Sequence, residues 1–194
     1  MTSWYDFYKE RMNNRYLSRI KTKYEPFINR ILDSHAYHFL ELGCGAGFIT
    51  RALREKSRYR NFTLVDSCPK MLGLAMENNP SDKCLFLCAD IMKHHTIPNC
   101  DEYTVVHSHG VLEHFSDTGI EYTMSMAENY SPFQVHFVPG AKYEKPSRGD
   151  ERLMTVDQWS KIVKNIDRIE NFDISTFNDG YDILITTWKN GSLK

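Results

Sequence analysis

Between an apolar run, Tyr37-His38-Phe39-Leu40-Glu41-Leu42, and a helix-like run, Phe48-Ile49-Thr50-Arg51-Ala52-Leu53, the chain places Gly43-Cys44-Gly45-Ala46-Gly47. Strand, glycine turn and helix in that order are the opening half of a βαβ unit, which commits the chain to parallel pairing through crossover helices. Glycines at such a turn also leave backbone N–H groups bare at a helix N-terminus, where a ligand can lie against them.

The alternation continues past the turn. Phe62–Asp66 reads as a second strand, and Ser67 with Pro69 opens a helix whose inward side is Leu72, Ala75 and Met76. Cys84–Cys88 is a third strand, ending at Ala89-Asp90, and Tyr103–Ser108 is a fourth. The helix behind it runs from Ser116 to Tyr130 and buries Ile120, Met124 and Ala127; Gln134–Val138 is a fifth strand. After a long polar loop, Pro139 to Met154, Thr155-Val156-Asp157-Gln158 is a capping box for a helix striped by Trp159, Ile162, Val163 and Ile166. Two β-rich runs, Ile169–Phe177 and Tyr181–Trp188, joined by Asn178-Asp179-Gly180, form a terminal hairpin. Crossover strands followed by a hairpin predict an α/β fold with a mostly parallel sheet and one antiparallel strand.

Ahead of the glycine turn, Trp4 to Tyr24 reads as one helix, with Tyr8, Met12, Tyr16, Ile20 and Tyr24 recurring four apart beside Arg11, Arg15, Arg19 and Lys23. Pro26 starts a second helix, striped by Phe27, Ile28, Ile31 and Leu32. The organisation is therefore an N-terminal helical segment over 1–35 and one α/β domain over 36–194.

Composition narrows the partners. A net charge of −1 over 194 residues gives no basic face, so DNA is not expected to bind. Runs such as Val135–Val138 are too short to cross a bilayer, and the N-terminus has no apolar stretch of the secretory kind. The expectation is a cytoplasmic protein, monomer or homodimer, with no membrane partner. Its five cysteines should then stay reduced, with Cys84 and Cys88 as small residues on one strand face. No Cys or His spacing matches a metal site, His94-His95 reads as a solvated turn, and no metal is expected.

The glycine spacing separates two classes of cofactor. A dinucleotide turn needs G-x-G-x-x-G to seat a pyrophosphate, and position 48 here is Phe. The pattern is instead Glu41-x-Gly43-x-Gly45-x-Gly47, with a carboxylate ahead of the turn. That suits S-adenosylmethionine, which has no pyrophosphate and carries an amino-acid end and a sulfonium cation. Asp66 ends the second strand, where a carboxylate can take both ribose hydroxyls. Asp90 ends the third, within reach of an adenine amine, with the Ile91 amide beside the ring. All converge on the C-terminal edge of the sheet, where open α/β folds bind ligands. Taken singly, Asp66 also reads as a cap at Cys68, and Asp90 as a strand end in a solvated turn.

At these residues the chain resembles the class I S-adenosylmethionine-dependent methyltransferases. Glu41-Leu42-Gly43-Cys44-Gly45-Ala46-Gly47 is similar to their first motif, Leu64-Val65-Asp66-Ser67 with Met71-Leu72 to their second, and Leu87-Cys88-Ala89-Asp90-Ile91 to their third. Val105 to Phe115, through Ser108-His109-Gly110-Val111-Leu112-Glu113-His114, resembles the fourth in its small-molecule form. The run (Asp/Asn/Ser)-Pro-Pro-(Tyr/Phe), used by relatives that methylate amines of DNA bases, is absent there. The resemblance implies a Rossmann-like three-layer sandwich with seven strands in the order 3-2-1-4-5-7-6, the last antiparallel. It implies cofactor contacts at Glu41, Gly43, Gly45, Asp66, Asp90, Ile91, Ser108 and His109, with Cys44, Gly47, Ser67 and Met71 from the same motifs. The implied activity is methyl transfer to an oxygen or nitrogen of a small molecule. Two alternatives stay open: a protein- or RNA-modifying enzyme, and a non-catalytic module that only binds the cofactor.

Methyl transfer is an in-line displacement, so alignment supplies much of its acceleration, and only a hydroxyl nucleophile needs a base. His109 and His114 follow the fourth strand at the functional edge and are the candidate bases, although His114 also reads as a local cap. His107 reads as a buried, hydrogen-bonded histidine. For the acceptor, the candidates are Tyr5 and Tyr8 on a helical lid, and Arg148 and Arg152 in the charged loop after the fifth strand. The lid reads equally as a plain amphipathic helix, and the loop as a surface ion-pair cluster.

Overall fold

Every residue of β1, His38–Leu42, is buried, as a central parallel strand covered on both faces requires. The computed structural model describes residues 4–57, 59–93, 104–146 and 150–190. Around β1 lie β2 (Asn61–Asp66), β3 (Cys84–Cys88), β4 (Thr104–His109), β5 (Phe133–Pro139), β6 (Asn171–Phe177) and β7 (Asp182–Trp188). They form one seven-stranded sheet in the order β3-β2-β1-β4-β5-β7-β6. β1 to β5 pair in parallel, whereas β7 runs antiparallel to both β5 and β6. This is the order and polarity that the motif resemblance implied.

Alternating side chains feed three buried clusters among the described residues, the smallest of them Leu40, Leu42, Val65, Val106 and Ala127. Phe39, Phe62, Val105, Val135 and Phe137 pack with α3 (Glu25–Leu32), α4 (Phe48–Lys56) and α5 (Pro69–Asn78). Val138, Ile183 and Ile185 pack with α6 (Asp117–Ala127) and α7 (Val156–Lys164), around the fully buried Trp159. α7 starts at the expected capping box: Thr155 accepts from Gln158 N, and the Gln158 side chain accepts from Thr155 N. The sheet leaves the C-terminal ends of β1, β2 and β4 at one edge, with Leu42 level with Val65 and Ser108.

Several local expectations change. The N-terminal helix is two helices, α1 (Trp4–Lys9) and α2 (Asn14–Lys23). Asn13 breaks it: its backbone is extended, at φ −148°, and its side chain takes the Tyr16 N–H at 2.9 Å, beginning a new helix. Ser67 does not cap α5; Cys68 holds that position, and Asp66 Oδ1 accepts its N–H at 2.9 Å. The buried stripe of α5 is Met71, Leu72, Leu74, Ala75 and Asn78, which turns Met76 outward. His107 is fully buried as expected, yet neither ring nitrogen has a hydrogen-bond partner among the described residues, and burial pulls its pKa down to about 3. β4 extends to His109, Tyr103 lies outside the described residues, and Tyr181 sits in the β6–β7 turn. Cys84 and Cys88 are free thiols on a half-exposed edge strand. No helix among the described residues is long and apolar enough to cross a membrane.

Gly47 locks the glycine turn to α5. It precedes α4 at φ 68°, and a Cβ there would lie 2.5 Å from Asn79 Nδ2 and 3.1 Å from Leu64 Cδ2. Asn79 has no room to retreat, because its buried amide donates to Gly47 O at 2.9 Å and to Ala75 O at 3.2 Å. Backbone strain and overpacking together predict that Gly47→Ala loses about 3 kcal/mol of unfolding free energy. Urea denaturation checks this; a loss under about 0.5 kcal/mol would mean that the turn relaxes freely.

Candidate active site

The glycine turn is held from two sides. Cys44 N donates to Val65 O at 2.9 Å, and Gly47 N to Cys44 O at 2.8 Å. Gly43 takes φ 65°, and a Cβ there would strike Val111 Cγ2 at 2.6 Å, so this corner accepts glycine alone. Asp66 then joins the turn to the start of α5: Oδ2 accepts from Gly45 N at 2.8 Å while Oδ1 accepts from Cys68 N. Each carboxylate oxygen keeps a lone pair for a ligand hydroxyl.

Above the turn opens a cavity of about 610 Å³, within the range of small-molecule sites. Glu41, Gly43, Cys44, Gly45, Asp66, Ser67, Met71, His109 and His114 line it, so most of the motif residues meet at one place. Trp4, Tyr5, Asp6 and Tyr8 of α1 form the opposite wall, which places the N-terminal segment directly over the turn. Glu41 is buried and its Oε2 accepts from Thr50 Oγ1 at 2.5 Å. Burial pushes its carboxyl up to about 7, the Thr50 bonds pull it back, and Asp66 adds a smaller upward push.

Four motif residues lie elsewhere. Gly47 packs behind the turn, as described above. Ser108 is buried and bonded to His136 Nδ1 at 2.8 Å. Asp90 folds onto its own turn, accepting from Met92 N at 3.0 Å and pairing with Lys93 at 3.5 Å. Ile91 lies with Leu42, Val65 and Ala89 on the other side of the sheet edge.

A second cavity, of about 230 Å³, adjoins the first and shares Trp4, Tyr8, Ile20, His109, Gly110 and His114 with it. His109 stacks on Phe137 with centroids 4.5 Å apart and meets the edge of Tyr24 at 4.2 Å. Burial, helped by Lys23, pulls its pKa down to about 3, so it stands as a neutral ring wall and a poor proton acceptor. His114 ends a 3₁₀ turn, Leu112–His114, with Nδ1 2.9 Å from Asp150 Oδ1 and its ring edge-on to Trp4. A carboxylate partner places hydrogen on Nδ1 and leaves the lone pair on Nε2. Arg152 is spent on structure: it donates to Phe115 O at 2.7 Å and to Asp117 Oδ1 at 2.5 Å, and it lines neither cavity. Arg148 lies outside the described residues, as do His94 and His95.

Sequence reasoning missed Glu113, Tyr24, Phe137 and Asp150 as site residues. Glu113 is 2 % exposed, and burial pushes its carboxyl up to about 8, with Glu151 and Asp150 adding to the push. The signal that could have found it is an acid embedded in Val111-Leu112-Glu113-His114-Phe115, where apolar neighbours promise burial. Among the described residues, no group of three or more His, Cys, Asp or Glu side chains is arranged to hold a metal ion.

Residues 39–130 match the family model described as a methyltransferase domain. Among curated proteins, malonyl-[acyl-carrier protein] O-methyltransferase of Bacillus cytotoxicus is 28% identical over 116 residues, which cover 58% of this chain and 37% of that protein. Human N-acetylserotonin methyltransferase, solved with its cofactor, superposes with a TM-score of 0.70 at 13% identity, over 96% of this chain and 55% of that one. An S-adenosylmethionine-dependent methyltransferase from Clostridium acetobutylicum gives a TM-score of 0.68 at 14% identity, over 88% and 92% of the two chains. The chain thus spans 37% of the curated relative and about half of the human enzyme, and the structural likenesses speak for the fold. The methyltransferase-domain match over residues 39–130, the 3-2-1-4-5-7-6 sheet and the glycine turn tied to Asp66 together support a class I S-adenosylmethionine-dependent methyltransferase.

Proposed function

We propose that the chain binds S-adenosylmethionine in the larger cavity and transfers its methyl group to an oxygen or nitrogen of a small molecule seated in the smaller one. The observation that carries this reading is the shared wall: two cavities meet at Gly110, His109 and His114, immediately beyond the glycine turn. Human N-acetylserotonin methyltransferase and mitomycin 7-O-methyltransferase, both similar in fold, bear small-molecule acceptors in their names, which supports the same class here. A net charge of −1 favours it over a nucleic-acid acceptor.

S-adenosylmethionine supplies a methyl group already activated on a sulfonium sulfur. The chain's own task is therefore alignment and exclusion of water. In this reading Asp66 holds the ribose hydroxyls with its remaining lone pairs, and Glu41 faces the amino-acid end. Ser67, Cys68 and Met71 take the adenine side, since Asp90 and Ile91 line no part of the cavity. The rings of Trp4, Tyr5 and Tyr8 act as a lid that keeps water from the reacting centre. His114, oriented by Asp150, takes the acceptor's proton at Nε2.

Asp66→Ala removes charge-assisted hydrogen bonds from a partly desolvated site, which should weaken S-adenosylhomocysteine binding by more than about tenfold. Calorimetry checks this, and equal affinities for the two proteins would sink the assignment. His114→Ala should keep cofactor affinity within about twofold, yet slow label transfer from S-adenosylmethionine into a small-metabolite extract by about 10²-fold. An unchanged rate would leave His114 a structural residue and alignment the main source of catalysis.

A further inference from the structure

The smaller cavity contains a group that the proposed chemistry does not use. Glu113 lines it, is 2 % exposed, and its Oε2 has no hydrogen-bond partner among the described residues. Other charges around the cavity are met. Asp182 accepts from Tyr143 Oη at 2.8 Å and from Asn178 Nδ2 at 2.5 Å, with Lys23 Nζ at 3.7 Å. Lys23 also donates to Tyr143 Oη at 3.1 Å, and Lys145 is exposed at the rim. A buried carboxyl without a partner costs stability, and a ligand donor would repay that cost.

Three observations give the charge and shape of that ligand. Asp150 and Glu151 lie close enough to raise the Glu113 carboxyl further, so the Glu113 end of the cavity favours a cation, whereas Lys23 in the same lining is engaged by Asp182 and Tyr143. Much of the remaining wall is aromatic, with Trp4, Phe7, Tyr8, Tyr16, Tyr24 and Phe137 among the lining side chains, the surroundings in which an ammonium group gains cation–π attraction. About 230 Å³ is less than a drug-sized site and suits one ring with a short side chain.

We infer that the methyl acceptor is a small aromatic amine whose amino group docks on Glu113, while the atom to be methylated faces the larger cavity. This rests on the two-cavity reading above. Glu113 is the specificity residue: the amino group is a handle held away from the reacting atom, and His114 stands between the two.

The test is calorimetry on the S-adenosylhomocysteine complex with three matched probes: tyramine, 4-ethylphenol and 3-(4-hydroxyphenyl)propionate. They share a phenol and differ in carrying an amine, nothing or a carboxylate at the far end. Tyramine should bind at least about tenfold more tightly than either of the others, as one charge-assisted bond predicts. Glu113→Gln, which matches the protonated side chain in shape, should retain S-adenosylhomocysteine binding and erase the preference. Equal affinities, a preference for the carboxylate, or a preference that survives in Glu113→Gln overturns the inference. The wild-type probe series decides alone if the variant does not fold. S-adenosylhomocysteine binding without amine preference leaves the methyltransferase reading standing, whereas failure to bind S-adenosylhomocysteine removes both.

Discussion

The site depends on one carboxylate. Asp66 accepts the Gly45 N–H through one oxygen and the Cys68 N–H through the other, so it clasps the loop after β1 to the loop after β2. Both loops leave adjacent parallel strands at the same level, with Leu42 beside Val65 and Cys44 N bonded to Val65 O, and the clasp carries that pairing into the loops themselves. Once it is closed, Gly45 and Ser67 both line the larger cavity, and α5 begins where the carboxylate ends its partner loop. The same group is the proposed ribose anchor, so the scaffold and the ligand would share its lone pairs.

Two other acids carry the electrostatics. Glu41 and Glu113 are each 2 % exposed, and burial raises their carboxyls to about 7 and about 8 from an ordinary 4.5. A carboxyl that holds its proton more tightly when folded contributes stability fully below its unfolded pKa, and that stability drains away as pH climbs toward the raised value. The window is therefore about pH 4.5 to 7 for Glu41 and about 4.5 to 8 for Glu113. A cation placed beside either one stabilises the ionised form and reverses the loss. Glu41 faces the cavity proposed for a sulfonium and amino-acid ligand, and Glu113 the cavity proposed for an amine, so both penalties fall where positive ligands would sit.

Much of this was legible in the sequence, because parallel α/β architecture writes itself in short repeated signals. The glycine turn, the buried strand runs and the Thr155–Gln158 capping box each act over a few residues, and each appears where its pattern placed it. What was not legible came from competition between equal local options. Asn13 has a side chain that fits within a helix or caps the next one, and capping won, which folded α1 onto the cavity. Asp90 satisfied its own turn, the local option, whereas Arg152 found Phe115 and Asp117, 37 and 35 residues away in the chain, partners that only the folded structure brings beside it. The Glu113 cavity was invisible for a different reason. Its walls come from α1, α2, β4, β5 and the loop after β5, and no single stretch of chain shows a pattern.

The central claim is that the cofactor lies between the glycine turn and α1. Hydrogen–deuterium exchange with and without S-adenosylhomocysteine tests it most directly, because protection reports where backbone is covered or rigidified. Slowed exchange is expected over 4–9, 43–47 and 66–71, with no change across the polar cleft that Arg51, Arg54, Arg60 and Lys83 line. Protection confined to that cleft, or absent from the glycine turn at saturating ligand, would contradict it.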